Sequence, residues 1–230
     1  MTSDPVALIT GATQGLGRAL AEELARRGWQ LVLDGRDRRR LADLSTAIPT
    51  ALIVPGDVTD AGHRRELTAA VAELDLYVAN ASDLGPSPLP TVAAHPIEAL
   101  RQVYETNVIA PVALLQLVLP KLRDSQGTFV AVSSDAAVEP YEGWGGYGGS
   151  KAALDHVAAV LAVEEPAVRS YAVDPGDMRT EMHQRAFPEE DISDRPLPEA
   201  VVPALLRLLD VRPASGRYRA ADFAIAGVVR

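Results

Sequence analysis

The chain has 230 residues, of which 47% are hydrophobic and 23% are charged, so it is long and apolar enough for one α/β domain with a sizeable core. Its formal net charge of −9 disfavours nucleic acid and an anionic membrane as partners. Because it contains no cysteine, disulfides, thiolate metal sites and thiol nucleophiles are all excluded.

Three further features bear on ligands and location. The four histidines have no metal-ligand spacing, so no metal site is predicted. The first residues lack the basic segment of a signal peptide, and the apolar run at 108–119 is too short to span a membrane. We therefore expect a cytoplasmic enzyme or binding protein without a membrane partner.

Short apolar runs alternate with segments of helical periodicity along the chain. This alternation predicts a parallel sheet covered by helices on both faces, in a single domain spanning residues 1–230. The predicted strands are 5–10, 30–33, 51–54, 74–79, 128–132, 168–173 and 217–223. The predicted helices are 16–27, 38–47, 59–71 with Thr59 as its cap, 97–122 with Pro111 as a candidate kink, 147–164 and 199–209.

A glycine-rich turn, TGATQGLG at 10–17, directly follows the first predicted strand. Glycines let the backbone approach a phosphate closely, and the N-terminus of the next helix presents unpaired N–H groups to an anion. Glycines also occur in ordinary strand–helix turns, but the position after the first strand favours a nucleotide site.

Charged residues follow the second predicted strand, whose tip faces the adenosine ribose of a dinucleotide in sheets of this winding. A carboxylate there would bond the ribose hydroxyls of NAD, whereas a guanidinium would hold the 2′-phosphate of NADP. Asp34 and Arg36 both lie near this tip. The arginines at 38–40 belong either to this site or to a solvated helix face.

Tyr147 and Lys151 are four residues apart, so one helical turn places both side chains on the same face. An ammonium group beside a phenol favours the phenolate and lowers the phenol's pKa. Ser134, after the fifth predicted strand, could steady the oxygen that Tyr147 protonates, or it could only cap the strand end.

Together these motifs resemble the short-chain dehydrogenase/reductase family over nearly the whole chain. The T-G-x-x-x-G-x-G motif is complete at 10–17, Tyr147 and Lys151 match Y-x-x-x-K, and Pro175-Gly176 matches the P-G after the sixth strand. The family's N-N-A-G stretch is altered at 79–82, where alanine replaces the first asparagine and serine replaces the glycine. Ser82 would narrow the space beside the nicotinamide or the substrate.

The resemblance implies a Rossmann-type, doubly wound sheet of about seven strands and assigns site residues by position. Its catalytic positions fall on Asn107, Ser134, Tyr147 and Lys151. Its cofactor-binding positions fall on Gly11, Thr13, Gln14, Gly15, Leu16, Gly17, Arg36, Asp57, Val58, Asn80, Ala81, Tyr147, Lys151, Pro175, Gly176, Met178 and Thr180.

The implied reaction is the interconversion of a carbonyl and an alcohol by hydride transfer, with Tyr147 as acid/base. Asn107 would connect Lys151 to solvent through a water, or it would be a helix-kink residue that satisfies backbone groups. The family's NAD-selecting acidic position falls on Gly35, and Arg36 falls where NADP-preferring members often carry a base. NADP(H) is therefore predicted over NAD(H). The alternatives are an NAD-preferring dehydrogenase, which Asp34 would favour, and a catalytically silent nucleotide-binding regulator on the same fold.

The expected partner is a small-molecule carbonyl or alcohol substrate. Tyr141, Trp144 and Met182 are candidate pocket walls, although each could equally be ordinary packing. The polar, proline-punctuated residues 181–198 are typical of a mobile lid that closes on a cofactor.

The helix predicted at 147–164 is apolar on nearly every side of its second half. A sheet can cover only one side of such a helix, so the other side should meet a second subunit. We predict a homodimer through this helix and the one at 97–122, as in relatives of the family; a homotetramer stays open.

Overall fold

The computed structural model describes residues 4–224, and its strands are β1 Val6–Ile9, β2 Gln30–Gly35, β3 Leu52–Pro55, β4 Leu76–Ala79, β5 Thr128–Val132, β6 Arg169–Asp174 and β7 Gly216–Arg219. All seven are parallel in one sheet, in the order β3-β2-β1-β4-β5-β6-β7. The predicted Rossmann-type α/β domain is confirmed. The last strand, β7, is shorter than predicted. Its final residue, Arg219, pairs with Asp174 at the end of β6, and Ala220–Phe223 then form a 3₁₀ turn.

The helices are α1 Gly15–Arg26, α2 Arg38–Ala47, α3 Ala61–Ala70, α4 Ile97–Tyr104, α5 Ala110–Asp124, α6 Gly145–Glu164, α7 Glu181–Ala186 and α8 Pro198–Val211. One core cluster joins the sheet to α1 and α8, through residues such as Leu20 and Leu205. A second cluster joins its other face to α3, α5 and α6, through residues such as Leu67, Leu114 and Leu154. Burial on both faces explains why the strands are continuous apolar runs.

Three helix boundaries differ from the sequence predictions. Asp60, not Thr59, caps α3, because its carboxylate accepts the His63 N–H at 2.8 Å. The long helix is interrupted by a π-helical turn at Glu105–Ile109, so the kink lies there and not at Pro111, which occupies the first turn of α5, where proline is tolerated. Tyr147 lies within the first turn of α6 and does not open it.

The strand order reverses beside β1, because β2 and β4 lie on its two sides. Crevices at such a reversal, outside the carboxyl ends of the strands, are the usual ligand sites of open α/β sheets. Asn80, just after β4, donates from its side-chain amide to the carbonyls of Thr10 and Gly11, at 2.9 and 3.0 Å. This amide fixes the turn after β1 against the end of β4.

Residues Ile97–Asp124 are long and apolar enough, by length and composition alone, to cross a membrane; an 18-residue stretch within them has a mean hydropathy of 1.4. Their inner face packs into the second core cluster through Leu114, Leu115, Val118 and Leu122. We interpret this region as a core helix of the α/β domain, which passes the same length and composition test.

Candidate active site

A cleft of about 540 Å³ lies at the carboxyl ends of the strands. Most of the residues that the resemblance assigned to a cofactor line it: Gly11, Thr13, Gln14, Gly15, Leu16, Arg36, Asp57, Val58, Asn80, Ala81, Tyr147, Lys151, Pro175, Gly176, Met178 and Thr180. Gly17 does not, because it faces inward; a Cβ there would lie 2.4 Å from the Asn80 side chain. Its role is close packing of α1 against the sheet. Among the described residues, no group of acidic, histidine or cysteine side chains could hold a metal ion.

The glycine turn has the geometry of a phosphate cradle. Gly11 and Gly15 have φ of +66° and +56°, in the left-handed region that favours glycine. A Cβ on Gly11 would lie 2.8 Å from Ala81 Cα, so the turn tolerates no side chain there. The N-cap of α1, Gln14, makes no side-chain capping bond, and the first turn carries no acidic residue. The N-terminus of α1 is therefore suited to the pyrophosphate of a dinucleotide.

Asp34 and Arg36, at the end of β2, point in different directions. Asp34 is only 1% exposed, and its carboxylate accepts the Gly11 N–H at 2.7 Å. It does not present a free carboxylate to a ribose, contrary to the alternative left open by the sequence. Arg36 is 75% exposed on the cleft wall, with its guanidinium 3.5 Å from Asp57.

Asp57 follows β3 beside Arg36. Burial would raise the pKa of its carboxyl, but hydrogen bonds from Thr59 and the nearby Arg36 outweigh burial and hold the pKa below its ordinary value. The carboxylate is therefore charged near neutral pH and lies on the cleft wall, at a position that the resemblance assigns to cofactor binding.

Tyr147 and Lys151 lie together, as their spacing predicts. Lys151 Nζ is 5.5 Å from the centroid of the Tyr147 ring, and it donates to the Val132 carbonyl at 2.8 Å. Both side chains are buried, although both line the cleft. Tyr147 packs with Leu84 and Ala136 in a small apolar cluster.

The pKa of Tyr147 differs in direction from the sequence expectation. Burial raises the pKa of the phenol above its ordinary value, and a hydrogen bond with Ser82 only partly offsets this. Burial also lowers the pKa of Lys151 to about 8, against an opposing influence from Asp155. In this arrangement, burial of the Tyr147 phenol therefore outweighs the expected effect of the nearby ammonium on its pKa.

The Ser134 hydroxyl is engaged locally. It donates to Asp135 at 2.9 Å and accepts the Ala136 N–H at 3.1 Å, so it caps the 3₁₀ turn Asp135–Ala137. This is the capping alternative considered from the sequence. Ser134 nevertheless lines the cleft. Its catalytic role stays a prediction.

Ser82 is the functional candidate that the sequence reasoning did not assign. Its hydroxyl donates to Asn107 Oδ1 at 3.2 Å and lies next to the Tyr147 phenol, whose pKa it lowers. It lines the cleft on the Tyr147 side. The sequence contained one indication of this role, the replacement of the family's glycine by serine at this position. From the sequence, this replacement indicated a narrower space for the ligand, but not a hydroxyl beside the acid/base Tyr147.

Asn107 does not line the cleft, and it sits within the π-helical turn. Its amide oxygen accepts the Asp83 N–H at 2.7 Å, and its amide nitrogen donates to the Asp83 carbonyl and to Ser150 Oγ, each at 2.9 Å. These bonds support the kink role and hold the loop after β4. The water link to Lys151 stays a prediction.

The predicted lid contains a helix, α7, and it rests across the cleft. Thr180 caps α7 by accepting the His183 N–H at 3.1 Å, and its methyl group lies 3.6 Å from where a Gly15 Cβ would be. Arg40 in α2 donates to Glu181 at 2.6 and 3.2 Å. Arg185 donates to the Gly85 carbonyl at 2.9 Å. The segment is thus anchored on both sides of the cleft.

Two of the three candidate substrate walls line the cleft. Trp144 and Met182 pack beside Tyr147, and the Trp144 ring centroid is 5.7 Å from that of Tyr147. Tyr141 does not line the cleft; it is 47% exposed, and its hydroxyl donates to Asp135 at 3.0 Å. The wall is completed by Leu84 and Ala186.

The site therefore belongs to a defined class: a dinucleotide-binding α/β fold with a buried Tyr–Lys pair beside the glycine turn. The sequence profile of the short chain dehydrogenase family matches residues 5–191, and the chain belongs to this family of NAD(P)-dependent oxidoreductases.

Known relatives agree with this assignment. A benzil reductase ((S)-benzoin forming) from Saccharomyces cerevisiae is 34% identical over 215 residues, covering 87% of this chain and 80% of that protein. A short-chain dehydrogenase from Shigella flexneri complexed with NADP is 29% identical, with a TM-score of 0.89 and coverage of 95% of this chain and 98% of that one. One from Escherichia coli complexed with NADPH is also 29% identical, with a TM-score of 0.88 and coverage of 95% and 97%.

Proposed function

We propose that the chain is an NADP(H)-dependent carbonyl reductase with Tyr147 as the proton donor. The observation that carries this proposal is the buried Tyr147–Lys151 pair, which opens onto the same cleft as the glycine turn. A bound nicotinamide would supply the hydride to the carbonyl carbon. The chain's own contribution is to position the carbonyl and to supply the proton.

The Tyr147 phenol, whose pKa burial raises above its ordinary value, is protonated near neutral pH, as the proton donor in a carbonyl reduction must be. Tyr147 would transfer this proton to the carbonyl oxygen, so that hydride and proton together give the alcohol. The Ser82 hydroxyl, next to the same phenol, is placed to orient it. Lys151 would return a proton to Tyr147, since the Lys151 pKa of about 8 permits proton exchange near neutral pH.

The substrate that fits best carries an apolar or aromatic group next to its carbonyl. Leu84, Trp144, Met182 and Ala186 supply the apolar wall on the Tyr147 side of the cleft. The relative named for benzil reduction acts on an aromatic ketone, which supports this class. The test is NADPH oxidation by the purified protein against aromatic diketones, quinones, aldehydes and 2-oxo acids. Turnover of 2-oxo acids alone would contradict the substrate class.

The proposed preference for NADP(H) depends on Arg36. Arg36→Ala should weaken NADPH binding by about 10- to 100-fold, because a guanidinium–phosphate hydrogen bond is lost. NADH binding should change by less than about threefold, since NADH has no 2′-phosphate. Fluorescence titration with each nucleotide measures both constants. Arg39→Ala is the matched control: Arg39 is an exposed arginine of α2 that does not line the cleft. Equal losses for both nucleotides would refute the assignment.

We also propose a homodimer through α5 and α6. Leu117 on α5 and Val160 and Val163 on α6 are exposed, although α6 buries Leu154 and Leu161 in the core. Val163→Asp, at a position that is 82% exposed, should shift the protein to monomer in sedimentation velocity, because a carboxylate would be desolvated at the interface. Val211→Asp, at the exposed end of α8, should leave the assembly unchanged. Wild-type protein that sediments as a monomer would overturn the proposal. Cytoplasmic location stays a prediction from the sequence.

A further inference from the structure

A buried carboxylate–imidazole pair lies behind the adenosine end of the cleft. Asp34 Oδ2 at the end of β2 is 3.1 Å from His63 Nε2 in α3, and the two side chains are 1% and 5% exposed. The other carboxylate oxygen, Oδ1, accepts the Gly11 N–H. The pair thus connects α3 to the glycine turn, and both oxygens of Asp34 are engaged.

The surroundings are shaped to hold the imidazole ring. A Cβ on Gly56 would lie 2.1 Å from His63 Nδ1, so the residue after β3 must be glycine for the ring to fit. Nδ1 is buried and has no hydrogen-bond partner among residues 4–224, and the carboxylate of Glu66 is 4.0 Å away from it. Within the described part of the chain, the His63 ring therefore bonds to Asp34 alone.

We propose that His63 is a positioning residue for cofactor selection: it holds the Asp34 carboxylate against the glycine turn and away from the ribose subsite. This inference rests on the proposed dinucleotide site. Asp34 lies one residue before Gly35 and two before Arg36, and all three border the cleft. A carboxylate released here would repel a 2′-phosphate and could accept hydrogen bonds from a 2′-hydroxyl. His63 thereby lets a chain with an acidic strand end accept the phosphorylated nucleotide.

Removal of the imidazole should weaken this selection of NADP⁺ over NAD⁺. A buried carboxylate is destabilised when it loses its hydrogen-bond donor. Asp34 borders the cleft, so its carboxylate would turn toward the cleft. His63→Leu should therefore lower the ratio of NADP⁺ to NAD⁺ affinity by roughly tenfold or more. His63→Gln keeps an N–H donor near the position of Nε2, so its ratio should stay within about threefold of wild type.

The test is calorimetric titration of the wild type and the variants with NADP⁺ and with NAD⁺, after circular dichroism has shown that each is folded. Asp34→Asn provides an independent arm that does not depend on the folding of His63→Leu. Its ratio should also stay within about threefold of wild type, because the proposal places no Asp34 contact with the ribose.

The outcomes are distinct. A folded His63→Leu that weakens both nucleotides equally, or that leaves the ratio unchanged, overturns the inference and reduces the pair to a structural support of the turn. An Asp34→Asn variant that loses NAD⁺ affinity selectively also overturns it, because Asp34 would then contact the ribose in the wild type. Wild-type protein that binds neither nucleotide overturns the proposed function itself.

Discussion

Tyr147→Phe should lower the rate of carbonyl reduction by about 10²- to 10⁴-fold, the usual contribution of a positioned general acid. The ring remains packed with Leu84 and Ala136, so the change removes the proton and little else. NADPH binding should stay within about tenfold of wild type, because the glycine turn and Arg36 are untouched. Stopped-flow measurement of NADPH oxidation under single-turnover conditions separates the chemical step from binding.

Tyr141→Phe is the matched control for Tyr147→Phe. Tyr141 is an exposed tyrosine outside the cleft whose hydroxyl donates to Asp135, so its loss should change turnover by less than about threefold. If Tyr147→Phe keeps more than roughly a tenth of wild-type turnover, Tyr147 is not the acid. If wild-type protein binds NADPH tightly but turns over no carbonyl compound, the silent regulator becomes the better description.

The fold could be predicted because it follows from local patterns in the sequence. Each strand is a short apolar run because it is buried on both faces, and each crossover helix has an apolar stripe. These signals depend only on neighbouring residues, which is why all seven strands were predicted. The π-helical turn was not predicted, because it depends on Asn107 bonding to Asp83 and Ser150, two distant segments of the chain.

The site was predicted by position but not by side-chain direction. The cleft contains nearly all the assigned residues, since a motif fixes where the backbone goes. The sequence could not show that Asp34 turns inward to His63, or that Ser134 turns to Asp135. Both orientations depend on partners that become neighbours only after folding. The pKa of Tyr147 was misjudged for the same reason: its burial outweighs the nearby charge.

Lys151→Met should give an inactive protein that is more stable than wild type at neutral pH. Burial lowers the Lys151 pKa from 10.5 to about 8, so the folded state carries a charged lysine at a cost of about 3 kcal/mol. Methionine removes this cost but also removes the bond to the Val132 carbonyl, worth about 1 kcal/mol, so the net gain should be about 2 kcal/mol. Turnover should fall by about 10²-fold or more, because no lysine is left to return the proton to Tyr147.

The difference in stability between Lys151→Met and the wild type should depend on pH. Below pH 8, the folded and unfolded states both hold the Lys151 proton, and the cost is fully present. Between pH 8 and 10.5, the folded state loses the proton first, so the stability of the wild type rises relative to that of Lys151→Met. Urea unfolding of both proteins at pH 6–10 should therefore show an advantage for the variant that disappears as the pH increases.

Lys121→Met is the control, since Lys121 donates to the Thr68 and Val71 carbonyls outside the cleft; this variant should lose stability and keep activity. An advantage for Lys151→Met that is constant up to pH 10 would show that the buried ammonium is not the cause, and that repacking around the methionine is.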